Sequence, residues 1–329
     1  MKQFTYIMPF VALLTMCVPT NDQEQESLIE QQVQVEEKTS ERPIIVEEVP
    51  QKQLKRQPAP HSNAVNFEKL PTDDFITETE KQWRTLFPKV YEEVRHALYT
   101  SAPHYAFSLT EIHPEDLNQM IEAIAKNSRI DTYVVSWQAE YRGASGDVYF
   151  TYRYSLEEIA KQRAFVQARV KQIVSETIEP HFDEYERVKA IHDYIVLQAA
   201  YDVDLFESCG EEGCETLEAG HTAYGLLRDG IAVCEGYART FAMLLDEVGI
   251  ENYYVTGYGD DVLHAWNMVK VDGAYYYVDV TWDDPIPNQP GKVHYDYFLV
   301  PSEELYGHAW IREDYPETAK TRYIRSEEN

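Results

Sequence analysis

Asp272-Gly273 separates two runs that alternate like strands, His264 to Val271 and Ala274 to Val280. A two-residue Asp-Gly loop is a strong short-range signal for a β-hairpin, and it fixes the register of both arms. Val271 then faces Ala274, Trp266 faces Asp279, and His264 faces Thr281. In that register His264 and Asp279 lie diagonally on one face, about 7–8 Å apart between backbones and within side-chain reach. A loop one residue longer would throw them onto opposite faces. The turn is therefore a condition for pairing this imidazole with this carboxylate.

A nucleophile for that pair stands upstream. From Cys234, the residues Tyr237, Ala238, Phe241, Leu244, Leu245 and Val248 recur every three to four positions, and Gly249 stands where a helix ends. Cys234 thus opens an amphipathic helix, where unpaired backbone N–H groups and the helix dipole favour thiolate and can also stabilise an oxyanion. A lone cysteine in such a helix is ordinarily a core residue. With a base and an orienting carboxylate nearby, Cys234, His264 and Asp279 read as a catalytic triad. Tyr201 and Tyr224 are candidate oxyanion donors, drawn from a chain with 25 tyrosines, most of which must simply pack or face solvent. Trp266 is expected to pack beside the site, and Glu235 to complement the helix dipole.

The blocks Val233-Cys234-Glu235-Gly236-Tyr237-Ala238, His264-Ala265-Trp266-Asn267 and Val271-Asp272-Gly273 through Asp284-Pro285 resemble the core of the bacterial transglutaminase-like superfamily. The resemblance runs from Lys189-Ala190-Ile191-His192-Asp193 to His308-Ala309-Trp310. It implies a papain-like α+β fold in which the cysteine helix packs on an antiparallel sheet carrying histidine and aspartate. It also implies acyl transfer without a metal or organic cofactor, by a hydrolase or a cross-linking transglutaminase. The rival expectation is a noncatalytic peptide-binding module that retains the fold.

Elsewhere the chain sets limits. A formal net charge of −28 opposes encounter with phosphate backbones and excludes nucleic acid as a partner class. Four cysteines in 329 residues do not make a disulfide framework. Cys209 and Cys214 flank a short acidic, glycine-containing segment and read as a disulfide, as free thiols or, with His221, as three ligands of a zinc site lacking the usual paired blocks.

Lys2 and the apolar run Phe4 to Met16 predict a signal peptide over residues 1–17, too short to span a bilayer. Leu14-Thr15-Met16-Cys17 resembles a lipoprotein box, with Met16 a poor match, and makes Cys17 a candidate lipid attachment site. The reading is of an exported protein, either anchored on the outer face of the cytoplasmic membrane or secreted. Residues 18–66 form an acidic linker too poor in core-forming residues to fold. Residues 67–180 form a smaller α+β unit of unknown role. Within it, apolar residues recur helically from Thr77 to Thr100, with Pro88 as a start, kink or break. A helix opens at His113-Pro114, strands flank Gly143-Ala144-Ser145-Gly146, and Ser155 caps a long helix to about Ile178. The core occupies 181–315, and 316–329 form a tail. The expected substrate is a protein or peptide of the cell envelope.

Overall fold

The computed structural model describes residues 75–209 and 218–325, with two short strands at Gln3–Phe4 and Val46–Glu48. Apart from those strands, the expected leader with Cys17, the linker over 18–66, Cys214 and residues 326–329 lie outside the described residues. No helix among the described residues is long and apolar enough to cross a membrane.

Thr77 opens α1 (Glu78–Leu86) with a capping box, its side chain accepting from the Glu80 amide while Glu80 accepts from the Thr77 amide. Phe87 ends that helix, and Pro88 starts α2 (Pro88–Thr100) in the first turn, where a missing N–H leaves no helical bond unmade. Strand β1 (His104–Ser108), helix α3 (Pro114–Lys126) and the hairpin β2 (Val134–Arg142) and β3 (Ser145–Tyr152) follow. The sheet runs β2–β3–β1, and Gln3–Phe4 pairs on the outer side of β2. Val94, Leu98, Ile121 and Ile124 of the helices close a first core against Trp137 and Phe150 of this sheet.

Ser155 caps α4 (Leu156–Thr177), as its sequence expects. Its Val166, Val170 and Ile173 pack into a second, larger core. That core also receives α5 (Glu184–Gln198), and the short elements β4 (Ala200–Tyr201), α6 (Val203–Cys209), α7 (Ala223–Asp229) and β5 (Ile231–Ala232) lead to α8 (Cys234–Glu247). Next come β6 (Asn252–Gly259), β7 (Val262–Val271), β8 (Ala274–Val278), β9 (Lys292–His294) and β10 (His308–Ala309). The main sheet has the order β8–β7–β6–β10 and is antiparallel throughout.

Alternation along β7 decides what each face of this sheet meets. Val269 and Val271 pack with Phe241, Leu244 and Leu245 of α8. Trp266 and Met268 point to the opposite face, among Tyr253, Val255, Tyr277 and Val300. The fold is thus α+β, with the cysteine-bearing helix on an antiparallel sheet. The C-terminal stretch is tied down as far as Arg325: Tyr323 donates to Asp272 at 2.6 Å, and Arg325 pairs with Glu186 at 2.8 Å.

Candidate active site

The hairpin forms in the expected register, with Val271 opposite Ala274 and Asn267 opposite Val278. Asp272 and Gly273 both hold positive φ, at 50° and 79°, as a type I′ turn requires. Continuing that register puts Asp279 one step past the end of β8, beside Trp266. Its side chain reaches His264, whose Nε2 lies 2.6 Å from Oδ2. Oδ1 accepts the backbone N–H groups of Thr281 at 2.9 Å and Trp282 at 3.1 Å. Burial alone would raise this carboxyl, but His264 and His308 outweigh it and hold it well below the usual carboxylate range. An ionised carboxylate only accepts, so His264 carries its hydrogen on Nε2 and leaves Nδ1 as the basic nitrogen. Trp266 stacks on the His264 ring at 5.7 Å and 25°, as expected of a residue packing beside the site.

Cys234 is the first residue of α8, after Val233 as N-cap. Gly236 allows this placement: a Cβ there would sit 2.6 Å from the Gly220 carbonyl oxygen and 2.8 Å from the Ala232 side chain. The thiol is buried against Ala238, Tyr254 and Ala265. Backbone amides of Ala265 and Glu235 hydrogen-bond the sulfur, so the stabilising N–H groups expected at a helix terminus are present. They do not win. Burial pushes the Cys234 thiol up to about 12, with the Glu235 and Asp279 carboxylates acting in the same direction. The expectation of a resting thiolate is corrected accordingly, because desolvation exceeds what two amides and the helix dipole return. Ala265, whose amide bonds the sulfur, directly follows His264 in β7. No hydrogen bond joins Cys234 to His264 among the described residues.

Tyr201 lies close enough to feel the thiol. Burial raises its hydroxyl, and the charges of Cys234 and Asp279 act the same way. β4 delivers it by pairing in parallel with β5, Tyr201 opposite Ala232. Tyr224 is elsewhere: its ring packs edge-on against Phe165 at 5.3 Å, and its hydroxyl accepts from Arg228 at 3.3 Å. The α7 face that carries it turns towards α4, which removes it as an oxyanion candidate.

Cys209 is disulfide-bonded and Cys234 is free. His221 bonds Glu235 through Nδ1. These two facts remove the zinc reading, since Cys209 offers no thiolate and His221 is held by a carboxylate. Glu235 does more than complement the helix dipole: its carboxyl, which burial would raise, is lowered by His221 and Arg239. Arg239 in turn lies over the Tyr254 ring at 4.8 Å and donates to the His221 carbonyl at 3.0 Å.

Three features had no reading in the sequence. His308 on β10 places Nε2 2.9 Å from Asp279 Oδ2. His192 on α5 is buried between Asp193 and Asp283, 3.1 Å from each. Tyr254 on β6 sits against the thiol. His308 and Tyr254 come from segments remote from their partners, as Asp283 does from His192, and no local period or spacing assigns these residues a role. His264, Asp279 and His308 together bring ligand-capable atoms within 4.8 Å of one another. Zinc bonds of about 2.0 Å in a tetrahedral site would set ligand atoms about 3.3 Å apart. The separations of 2.6 and 2.9 Å from one oxygen are those of hydrogen bonds, and the three groups are packed to share protons.

Residues 171–280 match the model of the transglutaminase-like superfamily. The chain is 24% identical over 211 residues to kyphoscoliosis peptidase of Mus musculus, covering 56% of this chain and 31% of that protein. It is 23% identical over 137 residues to the Homo sapiens kyphoscoliosis peptidase, covering 38% of this chain and 20% of that protein. The match spans under a third of the length of these curated relatives. A solved structure described as a TGase aligns with 15% identity and a TM-score of 0.33, over 45% of this chain and 44% of the other. Cys234, His264 and Asp279 all lie within the matched residues 171–280.

Proposed function

We propose that the protein is a cysteine-dependent acyl-transfer enzyme that cleaves peptide or amide bonds, with Cys234 as nucleophile, His264 as base and Asp279 as orienting group. One observation carries this reading: a buried His264–Asp279 pair at 2.6 Å leaves Nδ1 as the ring nitrogen away from the carboxylate, and the next residue's amide sits on the Cys234 sulfur at a helix N-terminus. A resting thiolate is not required. His264 takes the Sγ proton as the S–C bond forms at the substrate carbonyl, and the imidazolium then returns it to the leaving nitrogen as the C–N bond breaks. Water or an amine resolves the thioester. The relatives' name, peptidase, favours water. This reading assigns the oxyanion to Tyr201 and the Glu235 amide, both of which interact with Cys234.

The apolar run before Cys17 supports export and action on envelope protein or peptide, with the anchor at Cys17. Intact-mass measurement on the native membrane fraction tests the anchor: a lipidated Cys17 terminus is expected, and an unmodified N-terminus beginning elsewhere contradicts it.

The noncatalytic peptide-binding reading has one observation in its favour, a thiol pushed up to about 12 with no hydrogen bond to the imidazole. Incubation with envelope extract and a labelled primary amine separates the readings. Peptide release or amine incorporation that Cys234→Ala abolishes supports the enzyme. Equal binding by both forms, with no product from either, supports the module.

A further inference from the structure

His308 arrives from the edge of the main sheet, where β10 pairs it with Gly259 of β6. Its ring is enclosed by Trp282 at 4.3 Å, Trp266 at 4.8 Å and Tyr297 at 5.5 Å, and its side chain has no solvent exposure. Each ring nitrogen has one partner. Nδ1 lies 3.0 Å from the Tyr306 carbonyl oxygen, and Nε2 lies 2.9 Å from Asp279 Oδ2. A carbonyl oxygen only accepts, so Nδ1 bears a hydrogen. An ionised carboxylate also only accepts, so Nε2 bears one too. Both nitrogens are therefore donors, which is the imidazolium form.

We propose that His308 is a positioning residue for the acyl-transfer site, held as an imidazolium that binds Asp279 and restrains its charge from drawing a second proton onto His264. The idea rests on the triad reading above. Asp279 Oδ2 is shared between two imidazoles whose ring centres are 5.4 Å apart. A cation already on one side of the carboxylate makes a second cation on the other side harder to form. This matches the neighbouring thiol, which burial and the nearby carboxylates keep protonated. The pair then rests as thiol and imidazole, and charge separates only as substrate is attacked. Asp283, which interacts with Asp279, lies 3.1 Å from His192, an imidazole that against burial Asp193 and Asp283 push up to about 9, and Asp260 lies beside Gly307. The two carboxylates favour the imidazolium, and the His192 cation opposes it.

Two measurements test this. In the wild-type protein, ¹⁵N NMR of the histidine rings at pH 7.5 should show His308 with both nitrogens protonated and His264 with one. A neutral His308 overturns the proposal whether or not the protein has activity. In His308→Gln, which keeps a donor to Asp279 but removes the charge, the acid limb of kcat/KM should move to higher pH by on the order of one unit. A wild-type pH profile in that variant also overturns it. Equal turnover by wild type and Cys234→Ala would instead remove the triad reading while leaving the NMR result standing.

Discussion

At Cys234, two backbone amides and a helix terminus favour the charged sulfur, and burial with two neighbouring carboxylates opposes it more strongly. With the thiol pushed up to about 12, iodoacetamide should label Cys234 of the free folded protein slowly at pH 6 and faster as pH rises, because the thiolate fraction grows with pH. Mass mapping checks this, and rapid labelling at pH 6 would show that the imidazole already holds the proton. Asp279→Asn keeps a partner for the imidazole but not its charge, and an amide can select the wrong tautomer. Turnover should fall by about 10²–10⁴-fold with the fold intact by circular dichroism, by analogy with serine triads. At this scale the sequence showed Cys234, His264 and Asp279, because motif neighbours and a two-residue turn fix them. It did not show the burial of the thiol, nor His308, since both depend on chain segments brought in from a distance. Tyr224 was misread for a related reason: its position along the chain near the site said nothing about the helix face it occupies.

Among the elements, the Asp272-Gly273 turn sets the geometry most directly. A Cβ at Gly273 would meet nothing within 4 Å, so the cost of Gly273→Ala comes from its φ of 79° alone. The variant should lose about 1–2 kcal/mol of stability in urea titration while keeping wild-type kcat, since the register is unchanged. A large fall in kcat at preserved stability would show that the register does shift and would contradict this account. Strong local signals made the elements legible: Ser155 as a cap, Pro88 in a first helical turn, alternation in β2 and β3. β4, β5 and β10 were not legible. Each is two residues long and exists through its partner strand rather than its own pattern.

In the whole molecule, the first half of the chain braces the cysteine helix. Arg129 is buried and pairs with Asp246 near the end of α8 at 2.6 Å, and Asp131 accepts the Ala223 amide at 3.1 Å while lying 3.9 Å from Arg239. Burial raises the Asp246 carboxyl and Arg129 opposes the rise. Arg129→Ala should therefore cost about 3 kcal/mol at pH 7, by urea titration. The raised carboxyl loses stability as pH rises through its folded value, and removing Arg129 raises that value further. The cost should thus shrink as pH falls and Asp246 takes up a proton, and a cost independent of pH would contradict the buried-pair account. None of this bracing was visible in the sequence, where residues 67–180 looked like a unit apart, because long-range ion pairs leave no local pattern. The central claim concerns what Cys234 does to a substrate, and intact-mass spectrometry tests it most directly. Rapidly quenched mixtures of the protein with a peptide library should show an added acyl mass, mapped to Cys234, that is absent from Cys234→Ala and accumulates less in Asp279→Asn. Peptide binding with no covalent adduct at Cys234 under any of these conditions would contradict the acyl-transfer reading.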